Sequence, residues 1–309
     1  MTELTNPPAA NPPAANPLRG VFWMVVTGVL FVGVTALVKW LGTRIPAPEA
    51  AFLRFLFGLF ILLPVLRPLL RMRPSKRIWT LFCVRGAVHT VGVSLWFFAM
   101  ARIPIADVTA MNYLSPVYVT LGAALFLGER LAARRLLAVV AALVGAVIIL
   151  RPGFREVEPG HLAMLFAAFF LGASYLIAKR LTQECSPVQV VAMLSVTVAI
   201  GLAPLAVMNW VTPSLGQLGI LAAVALLGTA GHYTMTLAFR AAPLALTQPV
   251  TFLQLVWAVV LGALVFGEPI DLWVVLGGTM IVMAISFISF REAQLKRRAV
   301  TPPVPATKV

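Results

Sequence analysis

Charge is what this sequence has least of. Charged residues make up 11% of it, and only ten of its 309 residues are Asp or Glu. A soluble domain carries charge on about a quarter of its residues and keeps its apolar share near half. Here 61% of residues are hydrophobic and the mean hydropathy is +0.96. That shortage excludes a soluble globular domain and leaves an integral membrane protein. Cysteine is nearly missing as well: Cys83 opens an apolar run and Cys185 sits in a short connection, which predicts two free thiols and no disulfide framework. The three histidines, His89, His161 and His232, show no H-E-x-x-H spacing, and neither a G-x-S-x-G elbow nor a Walker phosphate loop occurs. Zinc-protease, serine-hydrolase and direct ATP-hydrolysing chemistry therefore lack their residues. No metal or cofactor is expected.

What the chain does have is a long internal repeat. Residues 92–129 recur as 231–268 with a shift of 139 and no gap: Gly92 falls on Gly231, Ala99 on Ala238, Pro104 on Pro243, Leu114 on Leu253, and Gly128-Glu129 on Gly267-Glu268. With a shift of 140 the preceding stretch also aligns, Gly20 on Gly160, Met24 on Met164, Lys39 on Lys179 and Pro64 on Pro204. The chain is one unit written twice, over residues 20–151 and 160–290. Residues 1–19, with their NPPAA repeat, are too proline-rich for a helix and have little to bury, so they read as a disordered cytoplasmic tail. Residues 291–309 read as a basic cytoplasmic tail lying irregularly against anionic lipid.

Ten apolar runs lie between the tails, at 20–41, 48–66, 79–100, 104–127, 131–150, 160–178, 187–210, 216–239, 243–266 and 272–290. Each approaches the ~20 residues a helix needs to cross ~30 Å of hydrocarbon. The fold class is therefore all-α integral membrane, with ten transmembrane helices as two five-helix repeats. Five is odd, so the second repeat must be inverted relative to the first, the arrangement that places a site at the repeat interface near the midplane. If the N-terminus is cytoplasmic, seventeen Lys and Arg fall inside and five outside. The positive-inside rule then puts both termini in the cytoplasm of a bacterial-type inner membrane. The same clustering accounts for the net charge of +14 without a nucleic-acid partner, because the cations flank apolar runs and do not interleave with an aromatic surface.

Polar groups inside a membrane are costly and mark candidate sites. On the third span Arg85, His89, Gly92 and Trp96 share one face at i, i+4, i+7, i+11. The fourth span offers Thr109, Asn112, Tyr113, Pro116 and Thr120, the ninth answers with Gln248, Thr251 and Phe252, and the eighth adds Thr229, His232, Tyr233 and Thr236. Arg54 lies about 9 Å into the second span by helical rise. The substrate-binding candidates are Arg54, Arg85, His89, Trp96, Asn112, Tyr113, His232, Tyr233, Gln248 and Thr251. A scaffold residue tends to recur in both copies, whereas Arg54 maps to Leu194, Arg85 to Val224, His89 to Gly228 and His232 to Val93. Each also has a structural reading. The arginines can snorkel to the interface, or Arg54 can pair with Glu49; the histidines and Asn112 can bond neighbouring helices; Trp96 can pack; Pro116 and Pro249 can kink their helices and free carbonyls to face a cavity. Glu129 and Glu268 read as turn residues beside C-capping glycines.

At these residues the chain resembles the drug/metabolite transporter superfamily, specifically its ten-helix EamA type. The resemblance is carried by the tandem repeat, by AAFLRFLFGLFILLP around Arg54, and by AMARIPIADVTAMNYLSPVYVTLGAALFLGER followed by GAVIILRPG. The opening of the first copy is similar to bacterial members assigned to S-adenosylmethionine uptake. The resemblance implies secondary transport of small organic metabolites through a cavity between the halves, lined by spans 1, 3, 4, 6, 8 and 9, with 5 and 10 peripheral. Four-helix cation exporters of the superfamily use a carboxylate in their first helix, and here that helix has none. With Arg54 and Arg85 in the spans, the interior suits a carboxylate-bearing or zwitterionic metabolite such as an amino acid, with a counter-substrate or coupling ion as a further partner. A passive channel and an intramembrane lipid-modifying enzyme are the alternatives; the second would need an acid or nucleophile beside His89 or His232.

Overall fold

The computed structural model describes residues 16–63, 74–115, 117–118, 133–154, 156–242, 247 and 249–300. Its helices are α1 (Pro17–Leu41), α2 (Ala47–Leu62), α3 (Lys76–Met100), α4 (Ile105–Asn112), α5 (Ala133–Leu150), α6 (Pro159–Leu181), α7 (Pro187–Met208), α8 (Leu215–Ala241), α9 (Leu253–Phe266) and α10 (Leu272–Val300). A 3₁₀ turn, Pro249–Phe252, precedes α9. Among the described residues no strand occurs, and each of the ten helices falls on one of the ten expected spans. Residues 1–15, 64–73 and 119–132, which include most of the expected N-terminal tail and the expected connections around Arg67 and Arg130, lie outside the described residues. Five helices, α1, α3, α6, α7 and α8, are long and apolar enough to span a bilayer by themselves. Large apolar side chains stand exposed around the bundle, among them Phe22, Val29, Leu137, Phe166, Val207 and Leu264. Such a surface is stable against acyl chains and not against water.

The helix pairing displays the inverted repeat. α1 packs on α8 and α3 on α6, which are equivalent pairs; α2 packs on α7, α4 on α9 and α5 on α10, each against its own counterpart. Details recur across the two-fold relation. A Cβ on Gly20 would meet Ala242, and one on Gly160 would meet Ile103 at 2.7 Å. Lys39 Nζ donates to Ile103 O at 2.9 Å, and Lys179 Nζ donates to Phe239 O and, at 3.2 Å, to Ala242 O. Because lipid gives helices no hydrophobic reason to associate, close approach at small residues supplies the packing. α5 and α10 cross with Gly145 and Gly277 facing each other's backbone. α5 otherwise turns Leu137, Val140, Val144 and Val147 outward, so this pair sits at the rim, as the resemblance implies.

Two expectations change. The fourth and ninth spans are not continuous α-helices. α4 ends at Asn112, with turn geometry at Tyr113 and Leu114, because a proline at 116 has no N–H for the Asn112 carbonyl. Ser115 Oγ donates to that carbonyl instead, at 2.8 Å. The carbonyl freed by Pro116 is thus satisfied locally and does not wait for a ligand. The α-geometry of α9 begins at Leu253, the repeat counterpart of Leu114, so both copies are interrupted at the same place. The second change is at the C-terminus: α10 continues to Val300, so the basic segment expected to be irregular is helical that far. Its REAQLKRR residues are strong helix formers.

Candidate functional site

Long side chains from five helices converge on the centre of the bundle. Arg54 and Phe55 come from α2, Arg85, His89 and Trp96 from α3, Phe31 from α1, His232 from α8, and Ser174 and Tyr175 from α6. His89 sits eleven residues before the end of α3 at Met100, about 16 Å along the helix and so near mid-span. Neither arginine snorkels. Arg54 is 4% and Arg85 1% exposed, and Glu49, the sequence-level partner for Arg54, instead accepts the Val211 N–H at 2.9 Å.

The rings form a continuous edge-to-face chain: Trp96 to Phe31 at 6.0 Å between centroids, Phe31 to His232 at 5.2 Å, His232 to His89 at 5.3 Å and His89 to Phe55 at 5.8 Å. The Arg54 guanidinium continues it, 3.8 Å from the Phe55 centroid, a cation–π contact strengthened by burial. Gly228 on α8 makes room for this group, since a Cβ there would lie 2.7 Å from Arg54 Nε. Arg85 Nη1 donates to Val190 O at 2.9 Å, while its Nε and Nη2 are buried without a hydrogen-bond partner. His89 Nδ1 shares a hydrogen bond with Ser174 Oγ at 3.0 Å, and His232 Nδ1 is buried and unpartnered. Tyr175 on α6 lies near both guanidiniums.

The charge balance follows from the sequence. α1, α3 and α5 to α9 contain no Asp or Glu, so the two guanidiniums have no carboxylate within the bundle centre. An uncompensated buried charge costs several kcal/mol, and the Nε and Nη2 donors of Arg85 have no partner among the described residues. The arrangement is suited to bind an anionic group. Among the described residues no group of three His, Cys, Asp or Glu is placed to hold an ion.

Of the ten sequence candidates, the structure gathers Arg54, Arg85, His89, Trp96 and His232 here. Asn112, Tyr113 and Thr251 form a second group where the two interrupted helices meet. Tyr113 Oη donates to Thr251 O at 2.7 Å and so joins the two breaks across the repeats, and Asn112 Oδ1 is buried without a partner. A Tyr113→Phe protein should lose about 1 kcal/mol of stability, the net worth of one such bond, with thermal unfolding in detergent as the measure. Tyr233 turns away from both groups and is 38% exposed. Gln248 lies outside the described residues. Sequence reading passed over Ser174 and Tyr175, although Tyr175 stands where the first copy has Thr35 and Ser174 where it has Val34, the same break in repeat symmetry that singled out Arg85.

Two inverted helical halves around a polar centre, enclosed by lipid-facing apolar residues, define a membrane transport protein. The chain belongs to the EamA-like transporter family, whose pattern matches residues 18–151 and again 158–290, and with it to the drug/metabolite transporter superfamily. It is 32% identical to a riboflavin transporter of Rhizobium johnstonii over 285 residues, which covers 90% of this chain and 93% of that one. With an S-adenosylmethionine uptake transporter of Rickettsia prowazekii it shares 25% identity over 280 residues, covering 89% and 94%. A solved crystal structure superposes with a TM-score of 0.61 at 17% identity, covering 91% of this chain and 99% of that one, a likeness of fold. The protein is a multi-pass membrane transporter of small molecules.

Proposed function

We propose that this protein is a secondary transporter that carries a carboxylate-bearing or zwitterionic metabolite, such as an amino acid or its derivative, across the inner membrane by alternating access. The observation that carries this reading is the buried pair Arg54 and Arg85, with two Arg85 nitrogens unpartnered among the described residues and the nearby acids Glu49 and Asp107 engaged elsewhere, by the Val211 N–H and by His161. A substrate carboxylate accepting a bidentate bond from Arg85 would offset the charge that the fold leaves uncompensated. The edge-to-face rings from Trp96 to Phe55 supply an apolar wall for the rest of such a molecule. Inverted repeats meeting at this centre support alternating access, and the Lys and Arg distribution supports cytoplasmic termini, so that Lys39 lies on the outer side and Lys179 on the inner.

The test is uptake into proteoliposomes of radiolabelled amino acids, with unlabelled amino acids preloaded inside. Preloading should accelerate uptake, and the methyl esters of the accepted substrates should fail to compete. Equal competition by acid and ester would remove the carboxylate from the reading; a preloaded lumen without effect on any substrate would remove exchange by alternating access.

A further inference from the structure

We infer that the first turn of α4 is the gate on the Lys39 face, and that Glu268 and the Asp107–His161 pair are the two contacts that hold it shut. The inference rests on the alternating-access reading above.

α4 is a separate piece of helix. It has eight residues, and at its inner end the backbone is interrupted at Tyr113 and Leu114. Among the described residues, two polar contacts attach its first turn to the other repeat. Glu268, just beyond α9, accepts the Ile105 N–H through Oε2 at 3.1 Å, and its Oε1 lies 2.6 Å from Lys39 Nζ. Lys39 in turn holds Ile103 O, so one carboxylate ties α1, the α3–α4 turn and α4 of the first repeat to the end of α9 in the second. On the other side of the same turn Asp107 Oδ2 lies 2.9 Å from His161 Nε2, both side chains 2% exposed. The proton positions follow from the neighbours: His161 Nδ1 accepts the Glu158 N–H at 3.1 Å, which leaves Nε2 as the donor to the Asp107 carboxylate.

Both contacts cross between the halves and are lost when the halves separate; the Asp107–His161 pair is buried away from water and the Glu268 contacts are part-buried, where polar contacts are stronger than in water. Glu268 accepts an N–H of the first turn of α4 that has no side-chain cap within its own repeat, so this end of the short helix is completed from the other half. The Asp–His contact is also one-sided. Under the repeat relation Asp107 corresponds to Leu246 and His161 to Val21, so the Lys179 face cannot build it. Lys39 and its counterpart Lys179 hold equivalent carbonyls on the two faces and are scaffold; Asp107 and His161 bias the protein toward closure on the Lys39 face. Directly below the gate, on the face of α1 that carries Lys39, lie Thr35 and then Phe31 of the central ring chain, one turn apart.

Thr35 is 2% exposed, and its hydroxyl donates to Phe31 O in its own helix, so Thr35→Cys is a reporter of similar size. In a Cys83→Ser, Cys185→Ser background, labelling of the Thr35→Cys protein by a membrane-impermeant maleimide applied to intact cells reads opening of the Lys39 face. Adding Glu268→Gln with Asp107→Asn should raise the labelling rate about tenfold, and each single substitution by less. The single variants also serve if the double variant does not fold, which monodisperse elution in detergent checks. An unchanged rate in folded variants overturns the inference. Trans-stimulated amino-acid uptake, measured on the same reporter protein, separates the two readings: uptake that exchanges while the variants leave labelling unchanged refutes the gate alone, and absence of exchange refutes alternating access itself.

Discussion

Binding of a carboxylate substrate by an Arg85→Ala protein is expected to weaken by about 10- to 100-fold, the range that follows from ~1.5–3 kcal/mol for a hydrogen bond to a charged group at ~1.4 kcal/mol per decade. Arg85 is the fully buried guanidinium whose Nε and Nη2 have no partner among the described residues. Its one bond inside the fold, to Val190 O, goes to the first turn of α7, where helical geometry supplies a backbone donor as well. Loss of Arg85 should therefore be felt in substrate affinity more than in stability. Arg85→Lys keeps the charge and removes the planar fork, so it should fall between the two proteins. Substrate-induced change in thermal unfolding, measured alongside radiolabelled uptake, checks both. An Arg85→Ala protein that binds and transports as before would refute the role given to the guanidinium.

The second large effect is structural. Gly145→Leu should destabilise the protein by about 3 kcal/mol or more, at the upper end of overpacking substitutions. A Cβ on Gly145 would lie 2.7 Å from Gly277 O, and one on Gly277 would lie 2.5 Å from Gly145 O. In both cases the obstacle is backbone, which cannot rotate away as a side chain can. The only relief is separation of α5 from α10, and with it loss of the dispersion contacts that hold this pair in lipid. Val147→Leu on the same helix, 55% exposed toward lipid, should stay within about 0.5 kcal/mol. Unfolding temperature and the monodisperse fraction after solubilisation distinguish the two. Equal behaviour would show that the α5–α10 crossing is dispensable.

The sequence alone determined the number of spans, their grouping into two copies and the inversion between them. Those properties depend on run length, on repeat register and on five being odd, and none requires knowing which way a side chain points. It also indicated the central residues, because Arg54, Arg85, His89 and His232 interrupt the repeat where a shared scaffold would preserve it. Tertiary structure decided the rest. Whether a guanidinium in a span snorkels or turns inward depends on which face of its helix meets a neighbour. Gly228, lacking a Cβ, opens that space for Arg54, and the Val190 carbonyl fixes Arg85. His232 and Tyr233 are adjacent in sequence, yet one joins the ring chain and the other faces outward, since successive helical residues point about 100° apart. Glu268 illustrates the same limit. Its sequence context marks a turn beside a glycine, and Gly267 does adopt positive φ. The carboxylate nevertheless reaches 163 residues back along the chain to Ile105. A period or a cap records what a residue does within its own helix; what it does across the interface is set by the rotation and approach of the partner, which exist only in the folded molecule.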